Sequence, residues 1–403
     1  MQKKIVQLPK PLVYQKDIID WTNDSSVKFI TFLKSRQSGG SFLNKLLVAK
    51  WALENNNVKI GYITPTLKLS KLFFKELVQS LQPYIINENR TDLIIEFNTG
   101  SNVQFFSAES KDSIRGFQFH YVIMDEAAFM NTDDINLIIR PTWMVIGRKI
   151  ILTSTPNGNQ GFFYDNYNLC LNNEPGHKLK QISIFDNPFV SKDDIEAIRK
   201  QVPERVWQQE YLGQFVNGAG TVFTNYTNCI GEPIFKQDIN YAAIDWGKTN
   251  DFTVLTIINQ HKEVVHIYRI NGLEYTNQVQ IIAELLKKYN VKRVLSEENN
   301  IGTVVNEMLK KLYPNVTTVT LDNSLKKDII ENLIVGFEQQ DITIPNNEVL
   351  LRELQSFSCI YNHNTQTVKY SAPSGLHDDT VISLAYAYSL VKGNKKPNII
   401  RII

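Results

Sequence analysis

The stretch Tyr121-Val122-Ile123-Met124-Asp125-Glu126 constrains the fold more than any other. An unbroken apolar run ends in two adjacent carboxylates and continues into Ala127-Ala128. Without polar alternation, such a run reads as a strand covered on both faces, the pattern of a parallel sheet between helices. Ionised side chains do not tolerate that interior, so Asp125 and Glu126 are expected at the strand's carboxyl end. Open α/β sheets bind ligands there. The Asp can hold Mg²⁺ directly or through water, and the Glu can polarise an attacking water. A strand that simply ends in two solvated acids is the plainer alternative, and the flanking stretches decide between them.

Upstream, the β-favouring run Lys28–Leu33 leads into Lys34-Ser35-Arg36-Gln37-Ser38-Gly39-Gly40-Ser41, followed by apolar residues at helical spacing from Phe42 to Trp51. Strand, glycine-containing turn and helix is the P-loop layout. The backbone of Arg36, Gln37, Ser38, Gly39 and Gly40 would cradle phosphates, and Ser41 would ligate Mg²⁺. Against G-x-x-x-x-G-K-[ST], however, Lys34 stands at the first Gly and Gly40 at the Lys. Lys34, Arg36 or Lys45 can replace the missing charge; otherwise position 40 is an inactivating change, or turnover is natively weak. Tyr14 and Gln15, just ahead of this core, have the chemistry to stack on adenine and read its edge, or else are structural. Arg115 precedes the acidic strand and suits an arginine finger, with a solvated or salt-bridged side chain as the alternative. The run Lys149–Leu152 ends in Thr153, Ser154 and Thr155, hydroxyls that can sense γ-phosphate and relay its loss to bound substrate, or cap a turn.

This order of motifs, with Phe162-Phe163-Tyr164 and Trp207–Gly213 beyond it, resembles the large terminase subunit of tailed bacteriophages. The resemblance implies an ASCE-type ATPase with a mostly parallel sheet over residues 1–216. The absent P-loop lysine is its main departure.

Irregular sequence over 217–236 marks a linker, and a second pattern begins at 237. Tyr241–Ile244 enters Asp245; Asp251 precedes the runs Phe252–Ile258 and Val264–Ile270; Val291–Ser296 enters Glu297 and Glu298. Gly375-Leu376-His377-Asp378-Asp379 heads an apolar helix, Val381–Leu390. Strand, acid, strand, strand is the meander that opens an RNase H-like mixed sheet. Acids on three separate elements can converge on two divalent metals, and oxygen-only ligands favour Mg²⁺ or Mn²⁺. Taken singly, each acid is more simply a cap or a solvated group. This half again resembles the terminase family, whose C-terminal domain is an RNase H/RuvC-like nuclease. The resemblance places the metal triad at Asp245, Glu297 and the Asp378-Asp379 pair, with Asp379 favoured, and an accessory acid at Asp251. Glu298 replaces Glu297 if the strand is shifted by one residue. His377 either orients an acid or contacts phosphate, or is structural.

The formal net charge of +2 does not announce nucleic acid, so any basic surface is local. Cys170, Cys229 and Cys359 offer neither a disulfide framework nor zinc spacing, and no membrane or export pattern is visible. The expectation is an ATP-driven motor and metal-dependent endonuclease acting on double-stranded DNA. The resemblance implies a portal protein and procapsid, a small terminase subunit, and a homo-oligomeric ring formed on the portal. It also implies a site of action in the host cytoplasm at the portal vertex and absence from the mature virion. The rivals are a nuclease carrying a hydrolysis-deficient nucleotide clamp and a helicase-nuclease of DNA repair. The basic tail Lys392–Arg401 touches DNA or the portal, or simply frays.

Overall fold

The computed structural model describes residues 9–216, 222–234, 238–247, 251–298, 302–320, 322–362, 367–373 and 375–392. The chain divides into two compact units. The first is built on the chain up to Ala197 and on Arg205–Asn217; the second holds Ile198–Glu204, Gly218–Asn362 and the chain from Thr367.

In the first unit one sheet contains β1 (Phe29–Leu33), β2 (Lys59–Thr64), β3 (Ile85–Asn89), β4 (Ile94–Phe97), β5 (Asn102–Ser107), β6 (Tyr121–Asp125), β7 (Lys149–Ser154) and β8 (His177–Gln181). The strand order is β3-β4-β5-β2-β6-β7-β1-β8. From β5 to β8 all pairings are parallel; β3 and β4 add an antiparallel edge. Burial on both faces explains the uninterrupted apolar run of β6. Tyr121 and Ile123 enter one apolar layer with Trp51, Tyr62 and Phe73, while Val122 and Met124 enter the opposite layer with Trp143 and Phe163. The β4–β5 hairpin turns around Gly100, whose φ of 76° favours a glycine. β3 and β8 lack the long apolar runs of the central strands and lie toward the sheet edges.

The second unit carries β9 (Asn240–Asp245), β10 (Thr253–Asn259), β11 (Val264–Ile270), β12 (Val291–Glu297) and β13 (Val316–Val319) in the order β11-β10-β9-β12-β13. β9, β10 and β11 are antiparallel neighbours, whereas β9–β12 and β12–β13 are parallel. Helices Tyr275–Lys288 and Gly302–Leu312 cover one face; Asn323–Glu338 and Asp379–Val391 cover the other. The last of these helices is buried all round, which is why its sequence shows so little polar alternation. A hairpin of β14 (Ser358–Asn362) and β15 (Thr367–Ser371) completes the unit. Among the described residues no helix is long and apolar enough to cross a membrane.

Candidate active sites

In the first unit the sheet itself assembles the site. β7 lies between β1, which feeds the glycine loop, and β6, which ends in the acids; Asp125 pairs with Thr153 and Leu33 with Ser154. The Thr153 hydroxyl donates to Asp125 Oδ1 at 2.7 Å, and the buried Tyr62 hydroxyl donates to Oδ2 at 2.6 Å. Glu126 adopts a left-handed φ of 55°, uncommon for a residue with a side chain, which turns its carboxylate back toward the loop. One oxygen meets Lys34 Nζ at 2.8 Å, and the other lies 3.4 Å from the Ser154 hydroxyl. Thr153 and Ser154 therefore touch the two acids directly, and Thr155 is buried one residue further along the chain.

The glycine loop is braced from several sides. Gly39, at φ 71°, caps the helix Gly40–Glu54. The carbonyls of Gln37, Ser38 and Gly39 accept from Asn187 Nδ2, the Tyr14 hydroxyl and Gln15 Nε2 respectively. These bonds fix the loop through its carbonyls; the Arg36 amide, expected among the cradling groups, donates instead to the Glu210 carbonyl at 2.8 Å. Gln15 is fully buried and also accepts from the Leu12 amide, so in this structure its amide braces the loop rather than waiting at an adenine edge. Tyr14 likewise braces the loop, and its phenol is pushed up to about 12, chiefly by burial. Ser41 is exposed on the first turn of the helix.

Of the three cations that can replace the missing lysine, two are engaged elsewhere. Arg36 pairs with Glu210 at 2.7 Å and Lys45 with Glu76 at 3.0 Å. Lys34 instead lies over the start of the helix, where a Cβ added at Gly40 would stand 2.7 Å from its Cε and 2.8 Å from its Cδ. Burial disfavours the Lys34 ammonium, but Glu126 and Asp125 outweigh that and raise its pKa above the ordinary lysine value. Arg115 sits on an exposed turn directly after the Ala108–Ile114 segment.

In the second unit Asp245 ends β9, Glu297 ends β12, and Asp378-Asp379 open the helix Asp379–Val391. Burial first, then Glu297 and Asp379, hold the Asp245 carboxyl well above the usual carboxylate range, and Asp245 and Glu297 are hydrogen-bonded to each other. Two carboxyl groups in contact must share a proton or a cation. Asp379 is also raised, by burial and then by Asp251. Its Oδ2 accepts from the Phe252 amide at 3.4 Å and lies 3.6 Å from His377 Nδ1, which is 3.7 Å from Asp251. The ligand atoms of Asp251, His377 and Asp379 all fall within 4.8 Å of one another, a spacing that fits a cation. Asp378 is turned aside, 3.6 Å from Lys326 and accepting from the Ala372 amide. Glu297, not Glu298, meets Asp245; the Glu298 amide pairs with β13. Asn299 and Asn300 lie outside the described residues, as does the tail beyond Lys392.

Sequence reading missed Glu353, a buried carboxylate in the helix Glu348–Ser356. It accepts the Thr380 and Val381 amides at 2.8 and 3.3 Å, capping the helix that presents Asp379. Arg269 lies 3.5 Å from it and stacks on Phe252, 3.2 Å from the ring centre. Nothing local in the sequence links residues so far apart.

Residues 31–226 match the family model for the terminase large subunit, T4likevirus-type, N-terminal, and residues 242–390 match the terminase RNaseH-like domain. The chain is 26% identical over 315 residues to the terminase large subunit of Thermus virus P23-45, covering 71% of this chain and 64% of the relative. With the terminase large subunit of Escherichia phage T5 it shares 29% identity over 257 residues, 60% of this chain and 58% of the relative. The chain thus spans less than two thirds of the length of both relatives. In fold it is similar to the large terminase of a thermophilic bacteriophage, with a TM-score of 0.57 at 16% identity over 95% of this chain and all of that one. That thermophilic phage protein is also known in complex with ATP-γ-S. Matches to both halves, in the same order and on one chain, place it in a single family: the chain belongs to the large terminase subunits.

Proposed function

We propose that this chain is a packaging motor and nuclease, with an ATPase domain over residues 1–216, a linker over 217–236 and a nuclease domain over 237–403. The observation that carries the reading is the placement of Asp245, Glu297 and Asp379 at two strand ends and one helix start, where Glu297 and Asp379 act electrostatically on Asp245 and the ligand atoms of Asp379, Asp251 and His377 lie within 4.8 Å of one another. These residues would hold Mg²⁺ or Mn²⁺, with Asp251 and His377 beside them. Ions held there would supply a hydroxide nucleophile and charge stabilisation for the leaving oxygen of a phosphodiester. The protein's part is to keep mutually repelling carboxylates at the ends of β9 and β12 and at one helix start, so that the ions need not assemble their own ligands.

In the motor, ATP–Mg²⁺ is the substrate. Ser41 and Asp125 would meet its metal, Lys34 its β/γ-phosphates, and Glu126 the attacking water. The placement of Lys34 over Gly40 supports a working motor over a hydrolysis-deficient clamp. Thr153 and Ser154, bonded to the two acids, are suited to pass the state of the phosphates along β7, with Thr155 next in line. The ATP-γ-S complex of the thermophilic phage protein supports nucleotide use by a chain of this fold. Arg115 acting as a finger from a neighbouring copy, a ring on the portal and procapsid, a small terminase subunit, and action in the host cytoplasm without incorporation into virions belong to the same proposal.

The test is plasmid cleavage by wild type and Asp245→Ala with Mg²⁺ or Mn²⁺. Metal-dependent cutting that disappears in the variant supports the nuclease. Cutting that survives shows that Asp245 has been misassigned, and no cutting with either metal removes the nuclease from the proposal.

A further inference from the structure

The carboxylates of the second unit stand where β-sheet pairing between their strands stops. The β9–β12 ladder ends at Ser296 opposite Ile244, one residue before Asp245 and Glu297. Past that point each acid is paired only with its outer neighbour, Asp245 with Val254 of β10 and Glu297 with Val319 of β13, and flanking side chains join the two strand ends to each other. Trp246, next after Asp245, donates its indole N–H to Ser296 Oγ at 2.8 Å and to Asn306 Oδ1 at 3.0 Å. Ser296, just before Glu297, donates its hydroxyl to the same Asn306 Oδ1 at 2.6 Å. Asn306, from the helix Gly302–Leu312, closes the network by donating Nδ2 to the Glu297 carbonyl at 3.0 Å.

Donors and acceptors in this network balance. The indole can only donate, so it needs oxygens; Asn306 must therefore present Oδ1 to Trp246 and Ser296, which leaves its NH₂ for Glu297. All three side chains are at most 2% exposed, so water cannot substitute for a lost partner. Packing alone would be served by three apolar residues of similar size. A closed polar triangle adds something packing does not, a fixed direction for the two strand ends.

We propose that Asn306, with Ser296 and Trp246, is a positioning device for the metal site: it clasps the ends of β9 and β12 so that Asp245 and Glu297 stay close enough to share a cation. The proposal rests on the nuclease reading above.

The test uses the full chain and measures Mn²⁺ binding by titration calorimetry alongside plasmid cleavage and thermal melting, for wild type, Asn306→Leu, Ser296→Ala and Trp246→Phe. Groups that hold a metal's ligands from behind change its affinity by about 10- to 100-fold. Asn306→Leu is expected to weaken Mn²⁺ binding by at least about tenfold and to raise the metal concentration for half-maximal cleavage in parallel. Ser296→Ala, which keeps the Trp246–Asn306 bond, is expected to fall between wild type and Asn306→Leu and guards against a misfolded leucine variant. Combining Trp246→Phe with Asn306→Leu should produce much less than the product of the single effects, because both break one network. Variants that melt earlier but bind Mn²⁺ with wild-type affinity would overturn the clasp and leave an ordinary core. Wild type that binds no Mn²⁺ would instead overturn the nuclease reading itself.

Discussion

Gly40→Ala tests the role of Lys34 without touching the lysine. Gly40 opens the helix Gly40–Glu54 without a left-handed φ, so the backbone accepts alanine. In a helix that exchange ordinarily stabilises by ~0.5–1 kcal/mol. Here the new Cβ would stand 2.7 Å from Lys34 Cε and 2.8 Å from Cδ, so the end of the lysine must shift, and its contact with Glu126 is the one at risk. A hydrogen bond to a charged group contributes about 1.5–3 kcal/mol. The Glu126 side chain is 31% exposed, which puts this pair at or below the low end of that range. Gain and loss therefore nearly offset, and the melting temperature should move by only a few degrees. Turnover should respond very differently, because removing one preorganised charge or donor from a transition state costs about 10²–10³ in kcat. The assay is steady-state ATP hydrolysis by the full chain, with and without procapsids, beside a thermal melt. Gly40→Lys alone should also fail, since its stem collides with Lys34. The exchange Lys34→Gly with Gly40→Lys should recover hydrolysis because the charge returns from the other side. Wild-type hydrolysis by Gly40→Ala would refute the assignment of Lys34.

Other outcomes follow from the same contacts. Tyr62→Phe removes one buried hydroxyl from Asp125 while keeping the ring stacked on Phe73, so ATP hydrolysis should fall by roughly tenfold and a thermal melt should show a drop of several degrees, both from the loss of one hydrogen bond to a charged group. Glu353→Leu strands the Thr380 and Val381 amides and the Arg269 charge; a chemical denaturation series should show a loss of about 2–4 kcal/mol, and an unchanged midpoint would show that the cap is dispensable. Chelation by EDTA should abolish plasmid cleavage, with Mn²⁺ restoring it. DNA affinity should drop steeply between low and moderate salt and depend little on sequence; a flat salt response would argue against contacts made mainly to phosphates.

The sequence alone located both acidic strand ends, because a buried strand declares itself by unbroken apolar character and its end by the first charge. Asp125 and Asp245 were legible for that reason, and so were the loop glycines, which mark backbone turns rather than partners. Several features had no local signature. Only the tertiary structure distinguished Lys34, Arg36 and Lys45, because it shows which carboxylate each one meets: Glu126 beside the loop, Glu210 and Glu76. The tertiary structure also separated Asp379 from Asp378 through the rotation of one helix start, and it gave Gln15 a bracing role on the loop. Glu353 and Asn306 were invisible because they act on residues that folding alone brings near. Hydrophobic pattern is written residue by residue along a chain, whereas charge pairing and donor–acceptor closure are properties of neighbours in space.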